Sequence, residues 1–212
     1  MKKQLEKKIN LKDILPSLGI VIFIILYAYA TTLYPGGSQA DLHSKGFDWI
    51  NNYWCNLMNA QAMNGQLNPA RLISIPAMII LCFSLLSFFF MFSKVLASNS
   101  IWRKIIQISG TISMLFASLI FTELHDLLTT ISSLFGLFTL IGIILGLAKS
   151  NLTMYKLTGG ICVLFLAFNN YIYYSKVFLS ALPLLQKVTF AIFLLWIAGL
   201  NWEMSHDRKI EA

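Results

Sequence analysis

Apolar residues in this 212-residue chain gather into long blocks that ionisable residues rarely interrupt. Six blocks can be traced, at about 14–34, 71–93, 104–122, 127–148, 157–175 and 182–202. A helix needs about 20 residues, at roughly 1.5 Å each, to cross the roughly 30 Å hydrocarbon layer, so each block can span a membrane. Helix is the expected conformation. Lipid offers the backbone no hydrogen-bond partners, and the blocks lack the apolar–polar alternation of barrel strands. The sixth block is the least clean, with Lys187 about one turn inside it. The pattern predicts an all-α membrane protein, one integral domain over 1–212 built as a bundle of six transmembrane helices.

Between the first two blocks the pattern changes. Tyr34-Pro35-Gly36-Gly37 makes a sharp exit from the first. Over about 46–63, Phe47, Ile50, Trp54, Leu57 and Met58 recur at helical spacing, opposite Asp48, Asn52, Asn56 and Asn59 with Cys55 beside them. This predicts an amphipathic helix capped by Ser44 and Gly65, lying on the outer surface with its tryptophans at headgroup depth, or folding over the bundle as a lid. The other loops are short, so successive helices should be antiparallel neighbours. Pro76 is expected to kink the second helix and Pro183 to sit in the first turn of the sixth. Gly142 and Gly146 give the fourth a small face for close packing.

Composition agrees with lipid exposure: 57% of residues are hydrophobic and 12% charged, against about 25% charged in a soluble domain. Charge supplies an orientation. With the amino terminus inside, twelve basic and five acidic residues fall on the inner side and four of each on the outer. The whole formal charge of +7 then lies inside, as the positive-inside rule requires. Both termini are therefore expected in the cytoplasm, in a cell inner membrane. Anionic lipid accounts for the basic balance, and no nucleic-acid partner is called for. Ala28-Tyr29-Ala30 imitates a signal-peptidase site, but the apolar run continues to Tyr34, so a retained signal anchor is expected. Three cysteines, Cys55, Cys82 and Cys162, suggest neither a disulfide framework nor a zinc ribbon.

On the outer side, Glu123, His125 and Asp126 occupy the turn between the third and fourth helices. Arg71 opens the second at the same level, Asn169 and Asn170 lie about one turn inside the fifth, and Lys187 about one turn inside the sixth. Together with Asn52 and Asn56 these residues outline an outward-facing polar cup, since polar groups in apolar helices face a bundle interior or a wet cavity. His125 is suited to general acid–base work, with Asp126 or Glu123 orienting its ring. Arg71 or Lys187 is suited to a phosphate headgroup. Each also has a purely structural reading: Asp126 favours the dipole of the fourth helix, Lys187 can snorkel, and the asparagines can bond between helices. A metal would need His125, His43 and carboxylates to converge, and no ligand spacing such as H-E-x-x-H is present, so neither metal nor cofactor is expected. Serine-hydrolase, rhomboid and P-loop motifs, and a histidine pair for a b-type haem, are all missing.

The Tyr34-Pro35-Gly36-Gly37 exit, followed by Phe47-Asp-Trp-Ile-Asn-Asn-Tyr-Trp-Cys-Asn-Leu57, resembles a family of bacterial six-helix membrane proteins catalogued as domain of unknown function number 998. Cys55-Asn56-Leu57 stands where that family tends to carry a Ser-Asp-Leu type motif. The resemblance implies six helices and a bacterial cytoplasmic membrane, and it brings no activity. Three functional readings remain open: binding of a lipid or small polar ligand, an enzyme acting on a lipid-linked substrate with His125 as acid or base, and a small dimeric transporter. Membrane lipids are the expected partners, and a homodimer is compatible with the sequence.

Overall fold

The computed structural model describes residues 11–206, with only the backbone of Leu11 and Lys12. The basic residues Lys2, Lys3, Lys7, Lys8, Arg208 and Lys209, on which the charge count draws, lie outside the described residues, as does the side chain of Lys12. Six helices follow one another: α1 (Leu11–Thr32), α2 (Arg71–Val95), α3 (Ser100–Ala117), α4 (His125–Ala148), α5 (Thr153–Ser175) and α6 (Leu182–His206). Five of them, α1, α2, α4, α5 and α6, are long and apolar enough to cross a membrane. The exception, α3, has 18 residues and carries Arg103 and Lys104 in its first turns. Among the described residues no strand forms; the pairings Gly36–Lys45 and Gln61–Leu67 are isolated bridges.

The helices pack in the order α5, α6, α1, α2, α3, α4, with α2 near the centre. Its Phe88, Phe89 and Phe92 are buried among Ile20, Phe23 and Tyr27 of α1, Ile106 of α3 and Ile143 of α4. Small residues let α3 and α4 approach closely. Ser109 Oγ lies 2.7 Å from Thr139 Oγ1, and Ser113 Oγ donates to the Ser132 carbonyl at 2.8 Å. A Cβ on Gly142 would stand 2.5 Å from Ile106. Arg103 caps the end of α2 by donating to the carbonyls of Ser93 and Lys94, both at 3.2 Å, where a cation suits the helix dipole. A second polar seam joins α1 to α6: Asn201 Nδ2 donates to Ser17 Oγ at 2.8 Å and Ser205 Oγ to the Asp13 carbonyl at 2.9 Å. α5 is the most exposed helix, with Gly159, Cys162 and Ile172 as its buried residues.

Helix ends differ from the sequence expectation by a few residues. The shift is largest in α3, which begins at Ser100 because the Asn99 side chain accepts the Trp102 N–H at 2.9 Å, a strong amino-terminal cap. Beyond Ala117 the chain makes tight turns as far as Leu124. α1 runs unbroken through Ala28-Tyr29-Ala30, α2 continues through Pro76, and Pro183 falls in the first turn of α6.

The amphipathic helix expected over 46–63 does not form. Only Trp54–Met58 is helical, as a 3-10 helix. The reason lies in its polar residues, whose side chains capture the backbone donors that an α-helix would use. Asn52 Oδ1 accepts the Asp48 N–H at 2.8 Å, Asp48 Oδ1 accepts those of Ile50 and Asn51 at 2.9 and 3.0 Å, and Asn56 Oδ1 accepts that of Tyr53 at 2.6 Å. Residues 35–70 become a compact cap. Phe47, Leu57 and Met58 are buried, as their spacing implies, but so are Asn52 and Asn56, while Ile50 is exposed.

Candidate functional site

Lys187 is the centre of the end of the bundle that residues 35–70 cover. It lies five residues into α6 and is only 7% exposed. Its ammonium donates to the Asn52 carbonyl of the cap and, at 2.7 Å, to the Pro183 carbonyl one turn back. It also lies 5.9 Å from the centre of the Phe47 ring. A buried ammonium is costly unless paired. Among the described residues no carboxylate is within ion-pair distance of Lys187; Asp48 and Cys55 act on it over a longer range.

Trp54 continues this cluster. Its backbone N–H reaches Gln186 Oε1 at 3.4 Å, its ring stacks on Phe47 at 6.2 Å, and it meets Tyr27 of α1 edge-on at 5.2 Å. The Tyr27 hydroxyl and the Trp54 indole N–H are both buried, without a hydrogen-bond partner among the described residues. Cys55 stands beside them. Burial pushes its thiol up to about 11, against the pull of its own N–H and that of Asn56, while Asp126 raises it and Lys187 lowers it. The thiol is therefore protonated at neutral pH and is no resting nucleophile.

The remaining expected site residues fall into three settings. Asn52 and Asn56 are internal struts of the cap, Asn52 Nδ2 donating to the Gly37 carbonyl at 2.9 Å. Asn169 ties α5 to α6 through Thr189 Oγ1 at 2.5 Å, while Asn170, on the exposed side, only back-bonds to Leu166 at 2.8 Å. Glu123 is exposed in the turn before α4 and Arg71 is half-buried at the start of α2. His125 and Asp126 form a rim pair, Nδ1 to Oδ1 at 3.0 Å, with side chains 37% and 89% exposed. Lys187 thus meets Asn52 directly, through its main-chain carbonyl, while Asp126 acts on the neighbouring Cys55 only electrostatically. Among the described residues no hydrogen bond joins His125, Glu123, Arg71 or Asn170 to Lys187. Nor do three of His, Cys, Asp and Glu gather into a metal-ligand set.

Sequence reasoning did not single out Tyr27, Gln186 or Asn68. Tyr27 sits in an apolar block without any polar neighbour to mark it. Asn68 leaves a faint trace, since Asn68-Pro69 is a turn dipeptide just ahead of α2. Two open grooves, of about 320 and 440 Å³, lie along α3, lined by Phe90, Gln107 and Ile112 and by Ile101, Phe135 and Phe138. Neither includes a residue of the expected cup.

Asp48 holds the cap together. Its carboxylate is kept below the usual range chiefly by the Asn51 side-chain amide at 2.8 Å, then by the backbone N–H groups of Asn51 and Ile50, against the opposing effect of burial. A carboxyl whose folded value is depressed stabilises the fold fully above its unfolded value and loses that contribution as pH falls through the folded one. The cap is therefore expected to loosen below about pH 4. Asp48→Ala should show the looser behaviour at neutral pH, at about 1 kcal/mol, the usual net worth of a hydrogen bond. Hydrogen exchange of residues 46–56 between pH 3 and 7 measures both; equal exchange in the variant and the parent at pH 7 refutes the assignment.

No family model, no curated protein and no solved structure matches the chain.

Proposed function

We propose that this is a six-crossing membrane protein whose outer cap and helix ends enclose a binding site for a lipid or a small polar ligand. The observation that carries the reading is Lys187, a buried ammonium inside an apolar helix, held among the described residues by two carbonyls and the Phe47 ring, with no carboxylate paired to it. Intramembrane ionisable groups with no full structural partner mark ligand or ion sites. The sixth crossing is α3. Its contacts run from Gly142 beside Ile106, through Thr139 beside Ser109, to Ser132 beside Ser113, so it lies antiparallel along most of α4. At 18 residues it covers about 27 Å. The charge count orients the cap outward and both termini toward the cytoplasm of a bacterial inner membrane, and the resemblance to family number 998 belongs to the same proposal.

Single cysteines at positions 45, 125 and 207, in a chain whose own three cysteines are replaced, test the orientation. Impermeant maleimide applied outside should label 45 and 125 but not 207; labelling of 125 from the cytoplasm alone overturns it. Ligand binding is tested by mass spectrometry of the intact protein extracted in neutral detergent, where a retained equivalent of lipid or small molecule is expected and a bare chain counts against the reading.

A second reading, an enzyme on lipid-linked substrates, has one observation in its favour: Asp126 engages His125 Nδ1 and leaves Nε2 as the ring's other nitrogen, the arrangement of an oriented acid–base histidine. A changed envelope lipid profile in a His125→Ala strain supports it; an unchanged profile removes it.

A further inference from the structure

We propose that Tyr27, Trp54 and Lys187 form a pocket for one oxyanion, a carboxylate or phosphate carried on a lipid headgroup or free. The inference rests on the ligand-binding reading above and names its chemistry. Tyr27 lies five residues below the outer end of α1 and Lys187 five residues below that of α6, each about 7.5 Å down. The cap lowers Trp54 between them, edge-on to Tyr27 at 5.2 Å and stacked on the Phe47 ring that Lys187 also faces. Cys55, next to Trp54 in the chain, acts electrostatically on both Tyr27 and Lys187.

What the three polar groups share is a lack of acceptors. The hydroxyl of Tyr27, a residue 1% exposed, has no partner among the described residues, and the Trp54 indole N–H has none either. Lys187 has three N–H bonds and gives two of them to carbonyls. Buried donors are almost always satisfied, so a cluster of orphans calls for something the polypeptide does not supply. The balance is one-sided: two neutral donors and one cation, with Asp48 beyond ion-pair range. A negatively charged group with several oxygen lone pairs satisfies all three, and it pairs the buried charge. The thiol of Cys55, protonated and weakly polar, lines the side of the pocket without competing for the anion.

Full-length protein in a neutral maltoside detergent is titrated separately with phosphatidylglycerol, followed by intact-protein mass spectrometry, and with inorganic phosphate, followed by calorimetry. One saturable equivalent of at least one is expected. Phospholipid binding alone assigns the anion to a headgroup; phosphate binding assigns it to a free anion; both support the pocket. Tyr27→Phe removes one oxygen and should weaken binding about tenfold, Lys187→Met by more, and Tyr29→Phe, on the exposed side of α1, not at all. If Lys187→Met does not fold, Tyr27→Phe decides alone. Binding that Tyr27→Phe leaves unchanged overturns this pocket while the ligand-binding reading stands. Absence of any binding overturns both and leaves water as the occupant.

Discussion

Asn68→Ala is expected to unfold the cap of residues 35–70 while the helical bundle stays assembled. Asn68 is 5% exposed just before α2. Its Nδ2 lies 3.1, 3.1 and 2.9 Å from the carbonyls of Asn56, Leu57 and Asn59, so two hydrogens serve three acceptors at the end of the 3-10 helix. Its Oδ1 accepts the Ala70 N–H at 3.2 Å. The Leu57 carbonyl has a second donor in Ser74 Oγ at 2.8 Å, and that of Asn56 a long one in the Asn59 N–H at 3.4 Å. Truncation thus strips the Asn59 carbonyl most completely and weakens the other two. With about 1–3 kcal/mol for each buried polar group left unpaired, the loss is about 2–5 kcal/mol, concentrated in the cap. Limited proteolysis in detergent should cut within 40–66 in the variant and spare the parent. Asn68→Asp keeps the volume and Oδ1 but loses the donors, and should be cut as readily as the alanine variant. If either resists proteolysis as the parent does, Asn68 is not the tie that holds the cap.

Such an effect could not be read from the chain alone, and the reason is general. Helices able to cross a membrane are legible because lipid imposes one demand, an apolar run of sufficient length, and α1, α2, α4, α5 and α6 each meet it through their own residues. α3 was harder to place because its start is fixed by a single cap, Asn99, rather than by hydropathy. The cap region shows the limit more sharply. The helical spacing of Phe47, Leu57 and Met58 does mark burial, yet it misassigns conformation, because Asp48, Asn52 and Asn56 satisfy the backbone locally instead of facing water.

The candidate site divides along the same line. Lys187 is legible as a charge in an apolar block, and Asn169 as an amide near it. Their partners are not. Lys187 binds a main-chain carbonyl 135 residues away, a contact that no side-chain pattern encodes. Tyr27 is one tyrosine among apolar neighbours until Trp54 is folded down onto it. Conversely, the dense stretch Glu123–Asp126, the most conspicuous polar group in the sequence, forms an exposed rim whose one internal contact is that of His125 with Asp126.

Gly146→Val is expected to separate α4 from the carboxyl end of α2 and to cost more than the same change at a helical glycine with open space around it. A Cβ at Gly146 would stand 2.3 Å from the Leu96 carbonyl oxygen and 3.1 Å from the Phe92 ring. The first obstacle is backbone, in the residue that closes α2 by donating its N–H to the Phe92 carbonyl at 2.8 Å, so no rotamer change can relieve it. Phe92 itself is fully buried in the centre of the bundle. Overpacking of this kind costs about 1–3 kcal/mol where side chains can yield and more where backbone must move. At about 2–4 °C per kcal/mol for a chain of this length, a loss near 3 kcal/mol lowers the melting temperature by about 6–12 °C. Gly160→Val supplies the matched control. It is also a helical glycine, on α5, and a Cβ there meets nothing within 4 Å. The two variants share the propensity change of a β-branched residue and differ only in what the new side chain strikes. Thermal unfolding of both in the same detergent should therefore separate them by most of that interval. Equal melting temperatures would mean that α2 and α4 do not meet at Leu96, and with that the antiparallel register of α2, α3 and α4 would fall.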